Sequence, residues 1–213
     1  MTQTPRPQTR ANGNRTRARI LDAAERLFGA HGFDAISLRE ITDSAGVTLA
    51  LASYHFGTKE NLFEEVVSRR AGILSRLRTD RLSTIEEPTA EAILDAFMAP
   101  MFEKALSKEA GWSDYFRVLA RMGESNRWLD CLRRNFDETA QTYIRAMVAA
   151  LPGADPNAVT RAFTMTLQIM LATISQNERV DGLSGGKVKA RNLKAAYDAL
   201  LVYATAGVLA LTR

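Results

Sequence analysis

The chain has 213 residues, 46% hydrophobic and 24% charged, enough for one large core or a small domain joined to a larger one. Lys and Arg number 28 against 24 Asp and Glu, a formal net charge of +4. A single cysteine, Cys131, excludes an intrachain disulfide, and with only His31 and His55 beside it no His/Cys metal cluster can be assembled.

Residues 1–19 carry Arg6, Arg10, Arg15, Arg17 and Arg19 with no acidic residue. We read 1–14 as a disordered basic arm suited to phosphate contact, with Arg15 and Arg17 at its edge. No apolar stretch follows these charges as it would in a signal peptide, so a cytoplasmic location is expected. The first helix spans about Arg15 to His31, with Ile20, Leu21, Ala24, Leu27 and Phe28 at helical spacing and Gly32 as its stop. Phe33, Ile36, Val47, Phe56 and Leu62 complete a small core.

Residues 37–59 are the most informative stretch. Ser37-x-x-Glu40 is a capping box that starts a helix carrying Ile41 and Ala45 on its apolar side. Gly46 permits a tight turn, Thr48 caps a second short helix, and Leu51 is expected to face inward. Two short helices joined in this way form a helix-turn-helix, able to lie in a DNA major groove. Tyr54-His55-Phe56 and Thr58-Lys59 then lead into a helix from Lys59 to about Leu82, long enough to begin in the small unit and end in a larger one.

The remaining pattern is helical throughout. A fifth helix carries Ala92, Ile93, Phe97 and Phe102, with Pro100 expected to kink or divide it. Further helices are expected from Trp112 to about Ser125, from Arg127 to Ala150, from the cap Asp155-Pro156 to about Glu178, and from Lys187 to the end. The fold class is therefore all-α, with about nine helices. The apolar run Ala199–Leu211 is too short to span a bilayer comfortably and reads as a buried helix, giving no membrane partner.

The order Ala-Gly-Val, Tyr-His-Phe, Lys-Glu-x-Leu, behind an amphipathic helix over Thr16–Val67, resembles the TetR family of transcriptional regulators. The resemblance implies a homodimer on double-stranded, palindromic operator DNA, and a divergent C-terminal domain whose small-molecule effector releases the DNA. Domains follow as 15–60 for DNA binding and 61–213 for ligand binding and dimerisation. The motifs Trp-x-x-Tyr-Phe-Arg-x-Leu-Ala-Arg from Trp112 and Leu-Ser-Gly-Gly from Leu183 also resemble a subgroup linked to fatty-acid metabolism.

Carried onto this chain, the resemblance assigns DNA contact to Ser37, Arg39, Thr48, Leu49, Ala50, Ser53, Tyr54 and His55. Lys59 is expected to hold a phosphate at a helix N-terminus. Arg39 suits base reading, since its fork fits the two guanine acceptors. Many family members carry a basic or polar residue and Gly where Leu49-Ala50 stand, and Tyr in place of Ser53. Leu49 could touch a thymine methyl but not make a bidentate contact.

Met98, Met101, Phe102, Phe116, Leu119, Met122, Phe136, Tyr143, Phe163 and Met170 are candidates as a set to line an apolar ligand cavity, though plain core packing is the commoner role for any one of them. Arg117, Arg121 and Tyr143 could supply its polar end. The helix from Pro156 is apolar nearly all round, and Leu167, Ile169 and Ile174 with Tyr197, Leu200, Ala204 and Val208 are expected at a four-helix dimer interface.

An enzyme is the competing class. The segment Asp181 to Val188 superficially resembles a phosphate-binding loop, but Asp181 stands for the first Gly, Val188 for the hydroxyl residue, and no strand precedes it. The reading is a regulator, no enzyme, with no cofactor. A DNA-binding regulator that senses no small molecule would share the same head.

Overall fold

The computed structural model describes residues 7–107, 109–123 and 125–212. The helices are α1 (Pro7–His31), α2 (Leu38–Ala45), α3 (Leu49–Phe56), α4 (Lys59–Ser83), α5 (Ala90–Leu106), α6 (Trp112–Met122), α7 (Leu129–Leu132), α8 (Glu138–Ala150), α9 (Pro156–Ile174), α10 (Arg179–Leu183) and α11 (Leu193–Leu211). Apart from the short α7 and α10, these are the nine helices expected. Among the described residues the architecture is all-α.

α1 begins at Pro7 rather than Arg15, so part of the expected arm is helical; proline suits a first helical turn, where its missing N–H is no loss. Arg6 and the rest of 1–6 lie outside the described residues. Arg17 and Arg19 face the protein rather than the arm. Arg17 pairs with Glu65 at 2.7 Å, and Arg19 Nη2 donates to the carbonyls of Ala45 and Gly46, securing the C-terminal end of α2.

The head is built from α1, α2, α3 and the start of α4. Ile20, Ala24, Ile41, Ala52 and Leu62 are wholly buried at its centre. Ser37 caps α2 in a complete box with Glu40, and Gly46 adopts φ 61°, the left-handed conformation the turn needs. Ala52 and Phe56, four apart, form the buried face of α3. Leu51 is a correction: it is 40% exposed, because it lies about 100° around the helix from Ala52.

At 25 residues, α4 is roughly 37 Å long and runs from the head into the body without a break. Its clamp to α1 is Glu25, buried, whose carboxylate accepts from Arg70 Nε and Nη2 at 2.8 and 2.9 Å, while Arg69 holds Asp22 at 2.7 Å. In the body, α5 packs against both α4 and α11, and α11 also packs against α9. Pro100 does not divide α5. It removes one ladder N–H, and Arg78 Nε from α4 donates to the neighbouring Phe97 carbonyl at 2.9 Å.

The helix expected from Arg127 to Ala150 is a composite. A 3-10 turn (Asn126–Trp128) leads into α7, then a π-helical turn (Arg133–Asp137), then α8. Asn135 Nδ2 donates to the Cys131 carbonyl at 2.8 Å, and a side chain competing for the ladder in this way is a cause of such bulges. Trp128 is drawn into an aromatic cluster with Phe33 and Phe63 at 4.9 and 4.3 Å.

α9 ends at Ile174, four residues early, as Gln176 turns to φ 58°. α11 begins at Leu193 rather than Lys187, since Asp181 holds 187–192 as a turn, accepting from Ala190 N at 2.7 Å and pairing with Lys189 at 3.2 Å. By length and mean hydropathy (1.3) α11 could cross a membrane, yet its Leu193, Leu200, Ala204 and Val208 are buried in the fold.

Candidate nucleic-acid interface and the cavity behind it

α2 and α3 present a continuous exposed face. Arg39, Thr48, Leu49, Ala50, Ser53 and Tyr54 are all exposed on it, and His55 is half-buried with its ring edge-on to Tyr54 at 5.2 Å. Tyr54 is 82% exposed, a large aromatic ring left in solvent. Thr48 occupies the cap position of α3 without a side-chain cap bond, so its hydroxyl is not committed there. Ser37 Oγ is committed to Glu40, and that hydrogen bonding from Ser37 holds the Glu40 carboxyl below the usual carboxylate range. Arg15, also exposed, donates to Asn12 Oδ1 at 3.3 Å.

Lys59 stands at the start of α4, as expected, but its side chain is engaged within the chain. Its ammonium donates to the carbonyls of Phe33 and Ile36 at 3.0 and 2.8 Å and lies over the Phe33 ring. Two of its three protons therefore fix the loop before Ser37. Its effect on DNA would run largely through positioning.

Behind the head, a cavity of about 390 Å³ opens between the α7–α8 stretch and α9. Of the ten expected lining residues, Met101, Leu119, Phe136, Phe163 and Met170 surround it. Met98, Phe102, Phe116, Met122 and Tyr143 are buried in the core away from it. The mouth is exposed and polar, with Arg133, Asp137, Gln141, Thr164 and Gln168; the inner end is buried, with Leu74, Phe97 and Arg78.

The expected polar end is misplaced. Arg121 donates to the Gly29 and Ala30 carbonyls at the end of α1, and Arg117 pairs with Asp114. Tyr143 donates to the Arg78 carbonyl at 2.7 Å, and burial raises its phenol above the ordinary range. Arg78 takes the polar position instead. Burial pulls its guanidinium down to about 10, still a cation at neutral pH. Sequence reasoning missed it, although a signal existed: Val67, Ala71, Leu74 and Arg78 continue one buried stripe at spacings of four, three and four.

The stretch 126–137 touches both sites. Leu129, Leu132, Arg133, Phe136 and Asp137 line the cavity. From the same stretch, Arg127 pairs with Asp34 at 2.8 Å, Arg134 pairs with Glu64 at 2.6 Å, and Trp128 packs on Phe33 and Phe63.

The seven expected interface residues divide. Leu167 lines the cavity, and the Tyr197 hydroxyl donates a hydrogen bond to Asp95 Oδ1. Ile174, Leu200, Ala204 and Val208 are buried within their own chain, and Ile169 borders an open groove of about 1240 Å³ between α9 and α11. The large apolar side chains that α9 and α11 leave exposed are Met165, Val202, Tyr203, Leu209 and Leu211.

Two family models match the chain: "Bacterial regulatory proteins, tetR family" over residues 20–66 and "Tetracyclin repressor-like, C-terminal domain" over residues 95–207, more than half its length. The chain belongs to the TetR family of transcriptional regulators. It is 29% identical over 140 residues to the transcriptional regulator BetI of Rhizobium meliloti, covering 63% of this chain and 66% of that one. It is 40% identical over 90 residues to RaaS of Mycobacterium tuberculosis, covering 38% and 42%. The chain thus spans just under two thirds of the first relative and less than half of the second. The multidrug-binding protein EbrR, solved with malachite green, shares the fold with a TM-score of 0.61 and 18% identity, over 92% of this chain and 98% of that one.

Proposed function

We propose that this TetR-family protein is a cytoplasmic, ligand-responsive repressor that binds a palindromic operator as a homodimer and leaves it when an apolar small molecule enters the cavity. The observation that carries this is the 126–137 stretch, one side of which lines the cavity while the other is ion-paired and stacked onto the head. A ligand that pushes on Leu132 or Phe136 pushes on Arg127, Trp128 and Arg134.

Val202, Tyr203, Leu209 and Met165 give α9 and α11 an exposed apolar face suited to pairing two chains. Twofold pairing would set two α3 helices against half-sites about one DNA turn apart or somewhat more. Arg39, Thr48, Leu49, Ala50, Ser53, Tyr54 and His55 are the contacts proposed on each half-site, with Arg15 near phosphate and Ser37 and Lys59 holding the reading surface in place. The malachite green bound by EbrR supports small-molecule binding in a body of this shape. Fatty-acyl compounds head the candidates because of the Trp112 and Leu183 motifs. To move the population from almost wholly bound to almost wholly free, the effector must favour the released state by about 5.5 kcal/mol.

The test is fluorescence anisotropy of a duplex from the region upstream of the chain's own gene, with and without a panel of fatty acids and acyl-CoAs. Tight, sequence-selective binding that a panel member reverses is expected. No preference over a shuffled duplex would overturn the DNA-binding reading. Selective binding that nothing disturbs would favour a regulator controlled by a protein partner or constitutively active.

A further inference from the structure

Among the described residues, the inner end of the cavity holds a cation with no carboxylate paired to it. Arg78 is 3% exposed, and its Nε is taken by the Phe97 carbonyl at 2.9 Å. The guanidinium carbon lies 3.7 Å from the centre of the Phe97 ring. Its Nη2 is buried with no hydrogen-bond partner. Among the described residues no carboxylate lies in ion-pair range of it; on α5, Glu103 pairs with Arg81 and Asp95 accepts from the Tyr197 hydroxyl. An unpaired buried charge is among the costlier arrangements a fold can hold, and an anion delivered to it gains a charge-assisted hydrogen bond in a water-poor setting.

We infer that Arg78 binds the carboxylate of a small amphiphile, whose apolar body lies along Phe97, Met101, Phe163 and Met170 and whose far end points to the mouth at Gln141 and Gln168. The inference rests on the ligand-sensor reading above and adds the ligand's charge and orientation to it. The orientation follows from burial: Arg78 is at the closed end, while Arg133, Asp137, Gln141, Thr164 and Gln168 meet solvent. A cationic ligand is disfavoured by the same guanidinium. A neutral one can accept from Nη2 but leaves the guanidinium's charge unpaired. Because Arg78 is on α4, which begins at Lys59 beside the reading surface, a carboxylate drawn to it acts directly on the helix joining the two sites.

Three probes with one chain length separate the alternatives: decanoate, decanol and decylamine, titrated calorimetrically into the full-length dimer. Wild type is expected to bind decanoate at least 10-fold more tightly than decanol, and decylamine not measurably. In Arg78→Met the preference should vanish or invert, with a cooperative unfolding transition like that of wild type showing that the chain is folded. Ala140→Phe, which narrows the cavity from α8, should weaken decanoate and decanol together.

Equal binding of all three probes by wild type would overturn the proposal, as would a decanoate preference that survives Arg78→Met. So would the lack of saturable decanoate binding while selective operator binding persists, an outcome that leaves the DNA-binding reading standing. If Arg78→Met fails to fold, the wild-type ranking and Arg78→Lys decide. Arg78→Lys keeps the charge and should retain preference for the anion over the amine.

Discussion

In the head, Arg39 stands on an exposed helix face with its guanidinium in solvent; in the body, Arg78 lies at the closed end of a cavity with one nitrogen unpartnered. Water satisfies Arg39 at almost no cost, so the head can be finished and rigid before DNA arrives. Arg78 has no such substitute, and the body is incomplete around it. Five arginines between them are occupied: Arg19 on the end of α2, Arg70 on Glu25, Arg121 on the end of α1, Arg127 on Asp34 and Arg134 on Glu64. On the proposed function, a locally specified reader is fastened to a partly empty sensor by a seam that includes committed ion pairs and one aromatic cluster.

The seam is where the comparison breaks most easily. Trp128→Ala removes the ring packed between Phe33 and Phe63 and is expected to cost about 3–5 kcal/mol, read as a lower denaturant midpoint at unchanged slope. If the stability holds, the seam is not the joint described here. Arg39→Ala should leave stability nearly untouched and cost about 1–3 kcal/mol of operator affinity, with relaxed preference at one base pair in a substitution series. An equal loss on shuffled DNA would reduce Arg39 to a phosphate contact.

The smallest effect sharpens the picture of the reader itself. Ser37→Ala should cost about 1 kcal/mol by uncapping α2, seen as faster amide exchange at Glu40. The Glu40 carboxyl is held below its ordinary value by hydrogen bonds from Ser37, so its share of the cap is present above that value. That share is lost as pH falls through the depressed value. Protection of α2 should therefore fade in acid in wild type and change less in Ser37→Ala.

The head was legible because its determinants are short-range. Ser37 and Glu40 are three residues apart, Gly46 sits in the turn it permits, and Asp155-Pro156 starts α9 by the same kind of local chemistry. What sequence could not show depends on partners far along the chain. Lys59 looks like a phosphate ligand until the carbonyls of Phe33 and Ile36 fold against it. Leu51 looks like core until Ala52 and Phe56 fix the face of α3. α11 is apolar on both sides, so periodicity cannot say that Leu200, Ala204 and Val208 turn inward while Val202, Tyr203 and Leu209 remain exposed. Half the expected cavity lining was misassigned to the same cause, since a buried Met or Phe reads alike whether it borders space or another side chain. The π-turn at 133–137 depends on Asn135 bonding back to Cys131, which no period reveals.

The claim that the cavity sets the heads is tested most directly by a distance. Cys131 is buried and its thiol is pushed up by desolvation to about 11, so a cysteine placed at exposed Asp43 can be spin-labelled selectively. The separation of the two labels in the proposed homodimer of Asp43→Cys would be measured by pulsed electron resonance, first on operator DNA and then with a ligand that calorimetry shows to saturate the cavity. A shift of several ångströms between the two states is expected. The same separation in both, with the ligand demonstrably bound, would contradict the coupling of cavity to head.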